Sequence, residues 1–228
     1  MNLAPFQLSI GDSITLLKEL KLFKDKGVKQ LFKDGVSDDF KKTSLSGNYL
    51  KTYQSAVHNL DYDILLVDDS LFQLEIDEGG ARFAYFQSPL DYISYQDYIL
   101  KNFEEYTEEY ESHFMLEYEQ FRSEQNINSS AITIRYDLDM PNYSPNIHAV
   151  SHYHIGNQNN VRIPCDKVIN PLNFVLFTIK HVYYYEWKNA IENENAVLNE
   201  ILNSSKQGCS AVNNTNWIDK EKREFFLT

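Results

Sequence analysis

Apolar residues first recur at helical spacing. Ile14, Leu16, Leu17, Leu20 and Phe23 follow Asp12 and Ser13, either of which can cap a helix, so the pattern predicts a helix ending near Phe23. Lys18, Lys21, Lys24, Lys26 and Lys29 then face solvent. After a polar loop over 35–46, Leu50, Tyr53, Val57 and Leu60 predict a second helix over 49–60. The period then changes. Residues 63–68, 71–76 and 82–87 read as short strands, divided by Asp68-Asp69-Ser70 and by Asp77-Glu78-Gly79-Gly80, and together they predict an antiparallel meander.

Ser88-Pro89 ends the meander, and a helical passage follows to about residue 125. Phe103, Tyr106, Tyr110, Phe114, Tyr118 and Phe121 recur every three or four residues there and read as a stripe facing the core. Strands follow at 131–137, at 148–155 and, beyond a turn at 157–160, at 161–163. Pro171 opens a long helix to about residue 192, with another to about 202. Neither a repeat nor a proline-rich linker interrupts the chain. The prediction is one domain over 1–228, with a helical part at 1–60, a sheet-containing core at 61–202 and a polar tail at 203–228. Helices and strands come in blocks without βαβ alternation. The fold class is therefore α+β: an antiparallel sheet of about five or six strands, flanked by N-terminal helices, a mid-chain acidic helix and long C-terminal helices.

Composition supports a folded core, since 43% of residues are hydrophobic and 24% charged. The net charge of −12 argues against broad nucleic-acid binding, which needs cations to displace phosphate counterions. Its distribution is uneven: nine basic and six acidic side chains at 1–60, three and 17 at 61–126, nine and 10 at 127–228. Glu104, Glu105, Glu108, Glu109, Glu111, Glu117 and Glu119 supply much of the acidity, as a solvated helix face or as a face that docks a basic protein partner. Two cysteines make no disulfide framework, and no signal peptide or membrane span is evident, so a cytoplasmic location is expected.

The chemistry concentrates in His148-Ala149-Val150-Ser151-His152-Tyr153-His154-Ile155-Gly156, which holds three of the six histidines and follows Arg135-Tyr136-Asp137-Leu138-Asp139. Strand side chains alternate faces, and alternate positions stand about 6.8 Å apart, so His148, His152 and His154 would share a face. In the preceding strand Thr133, Arg135, Asp137 and Asp139 make the polar face. Pairing would bring these polar faces together, with Arg162 a candidate to join from the next strand.

Three readings stay open. In the first, no cofactor is needed: His152, His154 and His148 are the acid and base candidates for RNA cleavage, Arg135 stabilises the phosphorane and Asp137 orients a histidine. Arg162 and Tyr153 are the substrate-binding candidates. In the second, a divalent metal is held by His152 and His154, with His148 as a third ligand and Asp137 or Asp139 as the oxygen donor; the preferred set is His152, His154 and Asp139. In the third, the cluster is structural, and the protein is a binding subunit or antitoxin-like partner of a complex. His58, His113 and His181 read as structural residues, and nothing marks Cys165 as an activated thiol. The chain carries no phosphate loop, nucleophile elbow, CxxC pair or HExxH that would fix a reaction class.

A resemblance rests on specific segments. Residues 62–74, Arg82-Phe83-Ala84-Tyr85-Phe86-Gln87-Ser88-Pro89, Arg135-Tyr136-Asp137, Ser151-His152-Tyr153-His154-Ile155-Gly156, Arg162-Ile163-Pro164 and Pro171-Leu172-Asn173-Phe174 resemble the bacterial family called domain of unknown function 2290. The likeness spans roughly residues 10–200 and implies no activity. Asp69 departs from it, standing where a turn glycine is expected. Arg135-Tyr136-Asp137 and His152-Tyr153-His154 are also similar to strands of TumE-like toxins. That weaker likeness implies a bacterial defence or toxin-module effector acting on RNA. A protein partner encoded nearby is expected separately, and a homo-oligomer stays open.

Overall fold

The computed structural model describes residues 2–27, 35–77, 79–90, 93–103, 106–107, 110, 113–123, 130–157, 161–205 and 209–224. Its centre is an antiparallel sheet of seven strands in sequence order: β1 (Phe23–Lys26), β2 (Ile64–Leu66), β3 (Leu71–Ile76), β4 (Gly80–Phe86), β5 (Thr133–Asp139), β6 (Ser151–Ile155) and β7 (Val161–Pro164). The fold is α+β, with one strand more than the upper expectation.

That extra strand comes from the predicted helix end. Helix α1 (Leu3–Glu19) buries Phe6, Ile10, Leu16 and Leu17, then stops because Lys21 takes a left-handed φ of 58° and turns the chain back. Phe23 consequently opens β1 instead of closing the helix. The expected loop at 35–46 also contains a helix, α2 (Asp38–Leu45), capped by the Ser37 hydroxyl, which accepts from the Phe40 N–H. Helix α3 (Tyr49–His58) follows, capped likewise by Asn48. At the β2–β3 turn Asp69 adopts φ 65°, the conformation for which glycine is favoured. Its carboxylate receives Lys24 and Arg122.

The mid-chain passage divides into α4 (Tyr95–Phe103) and α5 (Met115–Ser123). Its aromatic stripe does not enter the main core. Phe103 stacks on Phe114 at 4.3 Å and Tyr98 meets Phe121 at 5.1 Å, yet Phe103 and Tyr106 are each 37% exposed, so these rings form a satellite cluster. Of the seven glutamates, Glu117 and Glu119 are exposed, and the other five lie outside the described residues.

After β7, β8 (Lys167–Val168) leads into α6 (Pro171–Val182), which starts at proline behind the Asn170 cap. The expected single long helix breaks at Tyr183, where φ −108° and ψ 54° separate α6 from α7 (Tyr184–Glu192). Helix α8 is Ala196–Ser205. The described residues 209–224 of the polar tail pack on the domain: β9 (Ser210–Ala211) pairs with β8, Val212 and Trp217 pack on Val150, and α9 (Asp219–Glu224) ends the described chain. Among the described residues no helix is long and apolar enough to cross a membrane.

The two sheet faces differ. One carries Phe72, Leu74, Phe83, Tyr85, Ile134, Tyr136 and Tyr153 into the main core, against α1, α6 and α8. The opposite face is covered in two places. Phe40, Tyr53 and Ala56 of α2 and α3 sit over Leu71, Ala84 and Phe86, while the 138–150 segment packs against Val212 and Trp217. The polar side chains of the central and later strands occupy this second face.

Candidate metal centre

Register builds the site. Arg82 pairs with Asp137 and Asp137 with His152, while Arg135 pairs with His154 and His154 with Arg162. Directly paired residues project to the same face. Four strands thus place Arg82, Arg135, Asp137, His152, His154 and Arg162 together, opposite the main core. The alternation that predicted the polar face of β5 and the His face of β6 holds in these two strands.

The reactive atoms converge more tightly than strand spacing alone requires. His152 Nε2 lies 3.0 Å from His154 Nε2, and the Asp137 Oδ2 atom lies 3.3 Å from the latter and 3.9 Å from the former. His152 and His154 are 1% and 3% exposed. His152 Nδ1 stands 2.8 Å from the Ala149 carbonyl; since a carbonyl only accepts, this nitrogen carries the proton and the Nε2 lone pair faces the group. Burial also pushes the His152 pKa down to about 4, against attraction from Asp137, so the imidazole is neutral at pH 7.

Burial alone would raise Asp137, but the His154 hydrogen bond and the guanidiniums of Arg135 and Arg82 outweigh it and hold the carboxyl at about 2. Arg135 reaches Oδ2 through Nε at 3.2 Å and Nη2 at 3.1 Å, and Arg82 Nε is 3.5 Å from Oδ1. Two buried atoms in this group, His154 Nδ1 and Asp137 Oδ1, have no hydrogen-bond partner.

Two imidazole nitrogens and a carboxylate oxygen are a transition-metal donor set. Bond lengths of about 2.0–2.2 Å to one tetrahedral ion separate neighbouring ligand atoms by roughly 3.3–3.6 Å. One separation, 3.3 Å, falls in that range, and small shifts of His152 and Asp137 bring in the 3.0 Å and 3.9 Å pairs. The hydrogen bond from His152 to Ala149 is the kind of contact that fixes a ligating tautomer.

Other candidates lie apart from this triangle. Asp139, the preferred carboxylate ligand from the sequence, accepts from Asn142 and sits 3.9 Å from His148 Nε2. Register makes Asp137 the carboxylate beside the pair. His148 is not on β6: it bridges to Ser144, and the chain turns at Asn146, φ 59°, before the strand begins at Ser151. Its ring nevertheless contacts that of His152 edge-on at 4.8 Å. Tyr153 faces away, stacked on Phe177 at 4.6 Å within the main core, so it cannot touch a substrate bound beside the histidines. Cys165 is half-buried, and burial pushes its thiol pKa up. Arg82 was not singled out from the sequence, although its polar position in an otherwise apolar strand was a usable signal.

A family described as "Uncharacterized conserved protein (DUF2290)" matches residues 24–226, and the chain belongs to it. No curated protein and no solved structure matches.

Proposed function

We propose that this member of the family is a divalent-metal-dependent hydrolase of phosphate esters, with His152, His154 and Asp137 as the ligand set. The reading rests on one observation: their Nε2, Nε2 and Oδ2 atoms converge within 3.9 Å in a nearly buried site bordered by arginines. A divalent ion held there would act as a Lewis acid and lower the pKa of bound water. His152 offers its lone pair without losing a proton, because its Nδ1–H is committed to Ala149. Arg135 orients the Asp137 carboxylate, and with Arg82 and Arg162 it offers positive charge where a phosphoryl group gains negative charge.

The metal-free reading requires two imidazoles that reach opposite sides of a scissile bond. Here their tips face one another at 3.0 Å, and neither ring is open to solvent. We further propose RNA or a nucleotide as substrate and a defence or toxin module as the setting, on the likeness of the two site strands to TumE-like toxins.

Metal analysis of the purified protein tests the central reading, comparing wild type with the His152→Ala/His154→Ala double variant. About one ion per chain is expected in the wild type and none in the variant, with hydrolysis of bis(p-nitrophenyl) phosphate following the metal. A wild type that takes up neither zinc nor manganese on dialysis, or a double variant that hydrolyses as fast as wild type, would sink the proposal. Growth of expressing cells and the integrity of their RNA test the proposed setting.

A further inference from the structure

A second feature adjoins the histidines. A pocket of about 280 Å³ is lined by Asn146, Ile147, Ala149, Arg162, Pro164, Trp217 and Glu221. It lies against the triad: Arg162 and Pro164 are the register partners of His154 and His152, and the Ala149 carbonyl holds the His152 ring. Paired positions on neighbouring strands stand about 5 Å apart, so the pocket adjoins the strand that carries the two histidines, although neither histidine lines it.

The walls specify what fits. Ile147, Ala149 and Pro164 are apolar, and Trp217 is aromatic and buried, which suits a flat ring. The wall is also acidic at Glu221, itself only 6% exposed. Its Oε2 accepts from the Tyr143 hydroxyl at 2.9 Å and the Ile218 N–H at 3.0 Å, whereas Oε1 takes one long bond of 3.3 Å from the Asn146 N–H. Each carboxylate oxygen has two lone pairs, so Oε1 can accept again from a donor inside the pocket. Towards the histidines the sign reverses. Arg162 is exposed, has no ion-pair partner among the described residues, and offers its guanidinium to an anion.

A ligand that is flat in the middle, donating at one end and anionic at the other is a nucleotide. We propose that this pocket is a base-binding subsite, in which Glu221 selects a donating base edge and Arg162 guides the attached phosphate toward the triad. Guanine is the preferred base, because its ring N1–H can donate to the one open position on Oε1, whereas the ring N1 of adenine only accepts and would face the carboxylate lone pairs. The volume accommodates one base with part of its sugar, which sets the substrate class as a nucleotide or the end of a single strand and not a duplex. The inference deepens the hydrolase reading and rests on it for the fate of the phosphate, but base binding itself needs no metal.

The test is calorimetric titration of EDTA-treated full-length protein with GMP, AMP and ribose 5-phosphate, alongside separate metal uptake by each variant. GMP should bind at least about tenfold more tightly than AMP, and both more tightly than ribose 5-phosphate. Ile147→Trp places a large ring at the mouth from a side chain that is 78% exposed, so folding is preserved. It should abolish GMP binding and leave metal uptake unchanged. Glu221→Gln should remove the preference for GMP. Equal affinities for all three ligands, no GMP binding, or wild-type affinity in Ile147→Trp would each overturn the assignment. Stoichiometric metal without nucleotide binding would refute the pocket alone, and a GMP preference in a protein that never takes up metal would refute the hydrolase reading alone.

Discussion

Asp137→Asn isolates the charge at the centre of the site while nearly conserving shape. The Asp137 side chain is 12% exposed, so its electrostatics are little screened by solvent. Folding lowers its pKa from 3.8 to about 2. At 1.36 kcal/mol per pKa unit that difference is worth roughly 2 kcal/mol of folded-state stability at neutral pH in the metal-free protein. The sign follows from the depressed folded pKa: the stabilisation is complete above about pH 4 and disappears as pH falls through about 2. Asparagine leaves Arg135 and His154 facing a neutral amide, and a chain of this length should melt about 4–8 °C lower for a loss of that size.

Thermal melts in EDTA and then in excess zinc separate the stabilising role from the ligating one. Zinc at about 100 times its Kd should stabilise the wild type by about 2.7 kcal/mol. Asp137→Asn, with two donors in place of three, should gain little. Equal melting temperatures in EDTA would refute the electrostatic argument. An equal gain from zinc in both proteins would show that the carboxylate is not a ligand.

Acid titration of metal-free wild type adds a second transition. Because burial depresses His152 to about 4, stability should be full above about pH 6.5 and fall as pH drops towards 4, and His152→Gln should flatten that limb of a urea-denaturation profile. Gly80→Ala should destabilise by about 3 kcal/mol or more, since a Cβ there would sit 1.7 Å from the Leu138 carbonyl oxygen; denaturant midpoints check this, and a change within error would show that the β4–β5 pairing differs. Tyr183→Phe removes the hydroxyl that donates to Asp68 at 2.7 Å and meets the Tyr85 hydroxyl at 3.0 Å; it should cost about 1–3 kcal/mol by urea melts without altering metal content, and a lost metal would link the two sheet faces.

The pattern of alternation reached the site because both of its central strands are regular. Arg135 and Asp137 sit two apart, as do His152 and His154, and a period of two puts each pair on one face whatever the rest of the chain does. Which carboxylate meets which imidazole is a matter of register, and β5 could slide by two residues without changing its pattern, so alternation alone could not separate Asp137 from Asp139 and the preference for Asp139 as a ligand failed. His148 fits the same alternation, and only the turn at Asn146 removes it from the strand. Helix α2 was legible, since Ser37-Asp38-Asp39 before Phe40 is a capping sequence; polarity concealed it. The break at Tyr183 was not legible. It is stabilised by a hydrogen bond to Asp68, 115 positions away, and no local signal reports such a contact.

Charge places the last constraint on the substrate. Of the lysines of the first 60 residues, Lys24 and Lys26 lie on β1, four strands from β5, about 19 Å at ordinary strand spacing. Lys24 is engaged by Asp69. The cations at the site are instead Arg82, Arg135 and Arg162, supplied by three different strands, within a chain of net charge −12. Their field is screened over a Debye length of about 8 Å, so it acts on an anion already at the mouth and gathers no long polyanion from a distance. Phosphates of a long nucleic acid lying beyond the arginines would gain no such contact, whereas a nucleotide or strand end presents its charge only where the guanidiniums are. On the proposed hydrolase reading, the placement of the arginines therefore favours the same short substrate as the dimensions of the Trp217 pocket.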